Sequence, residues 1–244
     1  MKNWYTLETL SDNRVNHYSV NGEDGELDYI FKHIEPRSKF AVEFGASRVE
    51  PSGHPMILWM IEKYGWKSLF FEWRKGKAQI NAKKYNVRKA LVTPKNINRL
   101  FKKYKVPVDV DLVVIDVDGQ DYWIWQALSY RPSIVMIEFN QGLPARPAVV
   151  MRRDDKHYKW RNTRSIYYGA SLLALKNLGI EKGYVLIDKI SNNLVFCRND
   201  LIDVDYDVSV DLLHPRQNPE KISESYGGGV RRYGFVDDEK WIEV

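Results

Sequence analysis

The sequence predicts an α/β fold, with a mainly parallel sheet and helices on both of its faces. Short, continuously apolar segments alternate along the chain with segments of helical periodicity. The apolar segments do not alternate with polar residues, which is typical of strands that helices bury on both sides. Acidic residues stand where several of these segments end, and open α/β sheets bind ligands at that end of their strands.

The first elements follow from local pattern. Residues 1–20 are polar and aromatic, and we expect them to form a poorly specified N-terminal arm. Apolar residues at helical spacing predict a helix over 23–34. A short apolar run closed by glycine predicts a strand over 40–44, and a proline that suits a first turn begins the helix predicted over 55–64. The apolar run at 68–72, which ends in glutamate, predicts the second strand.

The middle of the chain continues the alternation. We expect a third strand within 86–92 and a helix over 95–103. The clearest strand lies over 111–116, where an apolar run stands between two aspartates. A helix over 122–128 and a fifth strand over 133–138 complete this part of the predicted sheet.

The alternation is interrupted after the fifth strand. Residues 141–168 carry prolines and a basic run, and we predict a long inserted loop there. A helix over 169–178 and a hairpin of 184–187 with 193–197 follow. Residues 201–244 contain a glycine triplet and an aromatic, charged tail, and they form a predicted C-terminal extension.

Composition excludes several classes of protein. The 244 residues suffice for one α/β domain with a sizeable core. Neither an apolar run of about 18 residues, which would predict a membrane span, nor an N-terminal secretory signal is found. The single cysteine, Cys197, cannot form an intramolecular disulfide and suits a reducing compartment, so we expect the cytoplasm. A net charge of +5 permits an anionic partner but does not require one.

Four predicted strands carry an acidic residue at the point where the apolar run stops, namely Glu43, Glu72, Asp116 and Glu138. Because the carboxyl ends of parallel strands meet at one edge of a sheet, these residues predict a ligand site there. Gly45 is expected to let the backbone approach that ligand closely. The dinucleotide fingerprint GxGxxG is absent, which argues against NAD.

Three carboxylates crowd the end of the fourth strand, at Asp116, Asp118 and Asp121. Strand alternation places the first two on one side, and such crowding is costly unless a proton or a cation resides there. If the fourth and fifth strands are neighbours, Glu138 and Asn140 approach the same place. We therefore expect Asp116, Glu138 and Asn140 to hold Mg²⁺ or Mn²⁺. A capped helix start and a hydrogen-bonded rim without metal are the alternatives.

These motifs, taken in order, resemble those of class I S-adenosylmethionine-dependent methyltransferases over residues 21–200. The similarity is greatest to the FkbM-like group, which includes sugar O-methyltransferases. The ordered set is more specific than any single motif. The matching segments are Asn21-Gly22-Glu23-Asp24-Gly25, Glu43-Phe44-Gly45-Ala46, Lys63-Tyr64-Gly65-Trp66, Ile115-Asp116-Val117-Asp118-Gly119, Asp121-Tyr122-Trp123, Ile137-Glu138-Phe139-Asn140 and Gly169-Ala170-Ser171-Leu172.

The resemblance implies a Rossmann-like methyltransferase fold. Its sheet would have seven strands with the last one antiparallel, and the predicted hairpin of 184–187 with 193–197 would supply that last strand. It also implies S-adenosylmethionine as the cofactor, with Gly45 near its methionine part and Glu72 on its ribose. The loop after the first strand is poorer in glycine than is usual in the family. The residues expected to contact the cofactor are Glu43, Gly45, Ala46, Ser47, Glu72, Trp73, Asp116 and Val117.

The expected methyl acceptor is an oxygen atom, and a sugar hydroxyl is favoured. Methylation of cytosine C5 needs a nucleophilic cysteine, whereas Cys197 lies in a predicted core strand. The Asn/Asp-Pro-Pro-aromatic turn typical of amino methylation of bases is absent after the fourth strand. Carboxylates suit the deprotonation of a hydroxyl, so Asp118 and Asp121 are the predicted catalytic residues.

The inserted loop, 141–168, is expected to select the acceptor because it leaves the carboxyl edge of the sheet. Aromatic faces stack on sugar rings and guanidinium groups bind pairs of oxygens, which suits a small-molecule or glycan acceptor. A solvated loop or a homodimer contact would explain the same composition. The predicted acceptor-binding residues are Arg152, Arg153, His157, Trp160, Arg161 and Tyr168.

Two other functions fit part of the sequence. Asp116-Val117-Asp118 also resembles the metal-binding DxD of nucleotide-sugar glycosyltransferases, but Glu43 and Glu72 then have no role. A non-catalytic module that binds nucleic acid through the basic aromatic loop is the third hypothesis. It leaves the carboxylates unexplained, so nucleic acid is not the favoured partner.

Overall fold

The computed structural model describes residues 4–46, 48–78, 81–144, 146–153, 167–202, 208–209, 213 and 241–244. Within them, helices and strands alternate as the sequence predicts. The helices are α1 (Leu7–Asp12), α2 (Glu23–His33), α3 (Leu58–Tyr64), α4 (Lys75–Ala78), α5 (Ile97–Lys103), α6 (Asp121–Ala127) and α7 (Leu172–Glu181). The strands are β1 (Phe40–Phe44), β2 (Lys67–Glu72), β3 (Val87–Lys89), β4 (Leu112–Ile115), β5 (Ile134–Glu138), β6 (Val149–Met151), β7 (Tyr184–Ile190), β8 (Asn193–Arg198) and β9 (Trp241–Glu243).

In the described part of the chain, seven strands form the main sheet, in the order β3-β2-β1-β4-β5-β8-β7. Neighbouring strands from β3 to β5 are parallel. The last strand of this sheet in the chain, β8, runs antiparallel to both of its neighbours. The fold is therefore α/β and Rossmann-like, as predicted. None of the helices in the described ranges is both long and apolar enough to cross a membrane.

Helices cover both faces of the sheet, because successive residues of each strand point to opposite faces. In β4, Val113 and Ile115 belong to the core layer that contains Trp125 of α6. Val114, between them, belongs to the opposite layer with Leu27 of α2. All of these side chains are fully buried. Burial on both faces explains why the strands are continuously apolar in the sequence.

The N-terminal arm is more ordered than its composition suggests. Helix α1 lies within it, and the Thr6 hydroxyl caps this helix by accepting a hydrogen bond from the Thr9 N–H at 3.2 Å. Leu10 is its one buried residue, too little apolar signal to reveal the helix in the sequence. Arg14, which follows, contacts Glu26 of α2 at 3.0 Å and Asp188 of β7 at 2.5 Å. The arm therefore packs on the domain.

Helix α3 begins at Leu58, three residues later than predicted from Pro55. A short 3₁₀ turn, Pro51–Gly53, comes before it. The Ile57 N–H donates to Glu43 Oε2 at 3.1 Å. Because the first N–H groups of a helix lack partners within it, this carboxylate helps to set where α3 begins.

A second, smaller sheet joins the predicted inserted loop to the end of the chain. Strands β6 and β9 pair antiparallel, with Val150 opposite Ile242. On its other side, β6 bonds to the chain before α7, since the Met151 N–H donates to the Gly169 carbonyl at 2.9 Å. Part of 141–168 is therefore a strand. Three-residue strands are too short to give a periodic signal in the sequence.

Candidate functional site

The predicted carboxylates meet at the carboxyl edge of the sheet, as strand register requires. Ile115 lies opposite Ile137, so Asp116 and Glu138 follow side by side on β4 and β5. Carboxylate oxygens of Asp116, Asp118 and Glu138 lie within 4.8 Å of one another. We call these three residues the carboxylate cluster. Asp116 and Asp118 are partly exposed, whereas Glu138 is buried.

Burial and repulsion between carboxylates raise the pKa values of Asp116 and Glu138. The pKa of Asp116 rises to about 7, chiefly through burial and then through the nearby charges of Asp121 and Asp118. Burial, with repulsion from Asp116, raises the pKa of Glu138 well above its usual range. Glu138 Oε1 accepts a hydrogen bond from Asn192 at 2.8 Å, but its buried Oε2 has no hydrogen-bond partner among the described residues. This arrangement suits a proton or a bound cation.

The turn after β4 positions Asp118. Asp118 has a φ of +59°, in the left-handed region that aspartate tolerates better than most residues. The two oxygens of Asp121 accept hydrogen bonds from the N–H groups of Val117 and Gly119, each at 2.8 Å. Burial raises the pKa of Asp121 to about 6. Asp121, predicted to be catalytic, therefore holds the turn, and Asp118 is the partly exposed carboxylate of the two.

Asn140, a predicted metal ligand, holds the chain that follows β5. Its Nδ2 donates to the Tyr168 carbonyl at 2.8 Å, and its Oδ1 accepts from the Gly142 N–H at 2.9 Å. The residue is fully buried. Asp118, which was not among the predicted metal ligands, joins Asp116 and Glu138 in the carboxylate cluster. Asn140 also ties Tyr168, a predicted acceptor residue, to the end of β5.

Glu43 lies deeper in the same edge. It is 3% exposed, and its carboxylate accepts a hydrogen bond from Ile57. Burial raises its pKa to about 8; hydrogen bonds from the Ile57 and Met56 backbone oppose this shift, and the charges of Asp116 and Asp24 add to it. Glu43 therefore links β1 to α3 within a buried acidic region.

Gly45 allows a close approach, but the approach is to the protein's own backbone. Its φ is +80°, and a Cβ built on it would lie 1.7 Å from the Asp116 carbonyl oxygen. The backbone that follows β4 therefore excludes any side chain at position 45. The next residue, Ala46, is buried, and Ser47 lies outside the described residues.

Glu72, at the end of β2, is bound on both oxygens by Arg74. Oε1 accepts from the Arg74 backbone N–H at 2.7 Å and from its Nε at 2.8 Å, and Oε2 accepts from Nη2 at 2.8 Å. Trp73, between them, is 57% exposed. The predicted ribose ligand thus has a guanidinium partner that the motifs did not single out. Arg74 could not be recognised from the sequence, because an arginine two residues after the end of a strand is common on protein surfaces.

Strand β6 brings part of the predicted acceptor loop to the turn after β4. Gln120 Nε2 donates to the Arg152 carbonyl at 3.0 Å, and Trp123 Nε1 donates to the Met151 carbonyl at 2.8 Å. The Arg153 guanidinium lies 6.0 Å from the centre of the Trp123 ring. Both arginines are exposed. The predicted acceptor residues His157, Trp160 and Arg161 lie outside the described residues.

Asp24, in one of the segments that carry the family resemblance, has a role that sequence reasoning missed. Its Oδ2 accepts hydrogen bonds from the backbone N–H groups of His17, Tyr18 and Ser19, between 2.6 and 2.9 Å. Its buried Oδ1 has no hydrogen-bond partner in the described ranges. Asp24 thus fixes the loop before α2 close to Glu43. Contacts of this kind have no periodicity by which to find them.

No protein-family model and no curated protein matches the chain. Solved structures resemble it at low identity. The N-terminal domain of EvdMO1 with SAH bound is 9% identical, covering 73% of this chain and 80% of that chain at a TM-score of 0.42. That domain in the presence of SAH and D-fucose is 12% identical, with coverages of 79% and 93% and a TM-score of 0.44. The citrinin polyketide synthase CMeT domain is 10% identical, with coverages of 72% and 50% and a TM-score of 0.35. The fold assignment therefore rests on the strand order of the sheet itself.

Proposed function

We propose that the chain is an S-adenosylmethionine-dependent O-methyltransferase that acts on a hydroxyl of a sugar or glycan. The carboxylate cluster carries the proposal, because it converges at the edge of a mainly parallel sheet where α/β folds bind ligands. The sheet, with its antiparallel β8, is the one that the sequence resemblance implies. The buried Cys197 in β8 is consistent with a reducing compartment, and we propose the cytoplasm.

The residues at this edge fit the two ends of the cofactor differently. The sulfonium and ammonium groups of the cofactor are cations. A cation beside Asp116 and Glu138 would favour the ionised forms of these two carboxyl groups, which burial disfavours. Ribose hydroxyls need an acceptor such as Glu72, whose two oxygens are held by Arg74. The fit at the ribose end therefore depends on Arg74. When bound, the cofactor supplies a methyl group activated by positively charged sulfur.

Asp118 is the proposed base for the acceptor hydroxyl. It is a partly exposed member of the carboxylate cluster, and the turn held by Asp121 sets its position. A positioned base contributes roughly 10²–10⁴-fold to such a reaction. Arg152 and Arg153 are exposed beside the same turn, and guanidinium groups suit an acceptor rich in oxygen.

The second part of the proposal is an alternative activation of the hydroxyl by a divalent cation, in which Asp118 is a ligand of the ion and not the base. The carboxylate cluster offers the hard oxygen ligands that Mg²⁺ and Mn²⁺ prefer, and Glu138 Oε2 lacks a partner in the described residues. The residues present therefore fit such an ion, which would lower the pKa of a coordinated acceptor hydroxyl. Activity that survives exhaustive EDTA treatment, with no gain from added Mg²⁺ or Mn²⁺, would show this part to be wrong.

Calorimetric binding of S-adenosylhomocysteine (SAH) tests the cofactor proposal before the acceptor is identified. We expect the wild type to bind SAH and Asp116→Ala to bind it more weakly. Asp109→Ala is the matched control, because Asp109 lies before β4, at the other end of the strand. Absence of binding by the wild type would refute the proposal. Transfer of a labelled methyl group to a panel of monosaccharides and methyl glycosides then tests the acceptor class.

The second candidate is a metal-dependent nucleotide-sugar glycosyltransferase. It is favoured by the convergence of Asp116 and Asp118 in one potential cation site. It gives no role to Glu72 at the end of β2. Thermal denaturation separates the two functions, because a ligand raises the melting temperature of a protein whose native state binds it. UDP with Mn²⁺ should raise the melting temperature of a glycosyltransferase, and SAH that of a methyltransferase.

A further inference from the structure

The contact between Glu72 and Arg74 has a consequence for cofactor binding. An ionised carboxylate has about four sites at which it accepts hydrogen bonds, two on each oxygen. Arg74 fills both sites of Glu72 Oε1, through its backbone N–H and Nε, and one site of Oε2 through Nη2. A ribose cis-diol bound in the usual two-point manner needs one site on each oxygen. The diol and the guanidinium therefore require the same Oε1 position.

The ion pair between Glu72 and Arg74 is largely shielded from solvent, so Arg74 can compete with a ligand for Glu72. The Glu72 side chain is fully buried and that of Arg74 is 19% exposed, so solvent weakens this pair less than a surface pair. A second carboxylate, that of Asp118, lies close enough for its charge to raise the pKa of Arg74, after the larger effects of the Glu72 hydrogen bond and charge. Arg74 Nη1 is buried and has no hydrogen-bond partner in the described residues.

We propose that Arg74 is an internal competitor for the Glu72 carboxylate and that it must release Oε1 before a nucleoside ribose can bind there. This inference rests on the proposed function, because it takes the ribose of S-adenosylmethionine as the ligand of Glu72. The competitor weakens the binding of S-adenosylmethionine and SAH alike. Weaker SAH binding favours product release, which limits turnover in many enzymes.

Calorimetry with SAH tests the competition. Arg74→Met keeps an unbranched side chain as far as the position of Nε but removes the guanidinium, and we expect it to bind SAH about tenfold more tightly than the wild type. Arg74→Lys retains the charge but not the two-point contact, and we expect an intermediate affinity. In a Glu72→Gln background the same Arg74→Met change should have little effect, because the carboxylate for which both compete is gone.

The outcomes are distinct. Unchanged or weaker SAH binding by Arg74→Met, with a normal melting temperature, would show that Arg74 supports the site and would overturn the inference. If Arg74→Met does not fold, equal affinity of Arg74→Lys and the wild type would overturn it. A tightening that persists fully in the Glu72→Gln background would also do so. Absence of SAH binding by the wild type and by every variant would instead refute the proposed function itself.

Discussion

Replacing Gly45 by alanine tests how tightly the end of β1 packs on the end of β4. The new Cβ would lie 1.7 Å from the Asp116 carbonyl oxygen, so the two atoms must separate by more than 1 Å to reach the 3.0 Å below which real contacts are essentially absent. The φ of +80° adds strain, about 1–2 kcal/mol for a residue with a Cβ. Forcing a methyl group into packed structure costs a further 1–3 kcal/mol, roughly. We expect Gly45→Ala to lower the free energy of unfolding by about 3 kcal/mol.

Gly65 provides the matched control. Its φ is +66°, but a Cβ there meets nothing within 4 Å. Gly65→Ala should therefore show the conformational cost alone, about 1 kcal/mol. Urea denaturation of both variants measures the difference, with unchanged m-values as the check that unfolding stays two-state. Equal destabilisation of the two variants would refute the reasoning, because the contact with Asp116 would then contribute nothing.

Three further changes have defined outcomes. Asp118→Asn should lower methyl transfer by about 10²–10⁴-fold while SAH binding survives; turnover close to that of the wild type would remove Asp118 as the base. Because the raised pKa of Glu43 makes the native state bind its proton more tightly than the unfolded chain does, this carboxyl destabilises the fold progressively as pH rises from about 5 to 8. The free energy of unfolding of Glu43→Gln should therefore rise relative to that of the wild type as pH increases through this range. A difference that stays constant with pH would show that the pKa of Glu43 is not raised in the folded protein. Deletion of residues 241–244 removes the pairing partner of β6, so amides of 148–153 should exchange with deuterium faster while those of β4 do not.

Much of the fold follows from local sequence. The strands β1, β2, β4 and β5 are apolar on both faces because helices cover both sides, so each is visible as an uninterrupted run. The acidic residues that end these strands could be placed at one edge, since parallel strands share their direction. The sequence alone therefore placed Asp116 and Glu138 at one edge of the sheet, and the pairing of β4 with β5 brought them together.

The partners of those residues were decided by tertiary structure. Nothing near Gly45 in the sequence indicates that the Asp116 carbonyl, on a neighbouring strand, requires the glycine. The hydrogen bonds of Asn140 to the Tyr168 carbonyl and the Gly142 N–H could not be predicted, because the return of the chain to Tyr168 is a tertiary contact. A polar side chain can serve several partners, and only packing selects among them.

The pairing of the C-terminal residues with β6 is a second contact that the sequence did not predict. Residues 241–243 pair with 149–151, which lie at least ninety residues earlier in the chain, and this pairing holds one side of the strand that leads to Arg152. A three-residue strand carries almost no pattern of its own, so its partner cannot be read from its residues. Local periodicity fixes which segments become helices and strands because burial acts on each segment separately. The contacts between segments depend on which backbone groups lie close to one another in the folded chain. These groups come together only when the sheet forms.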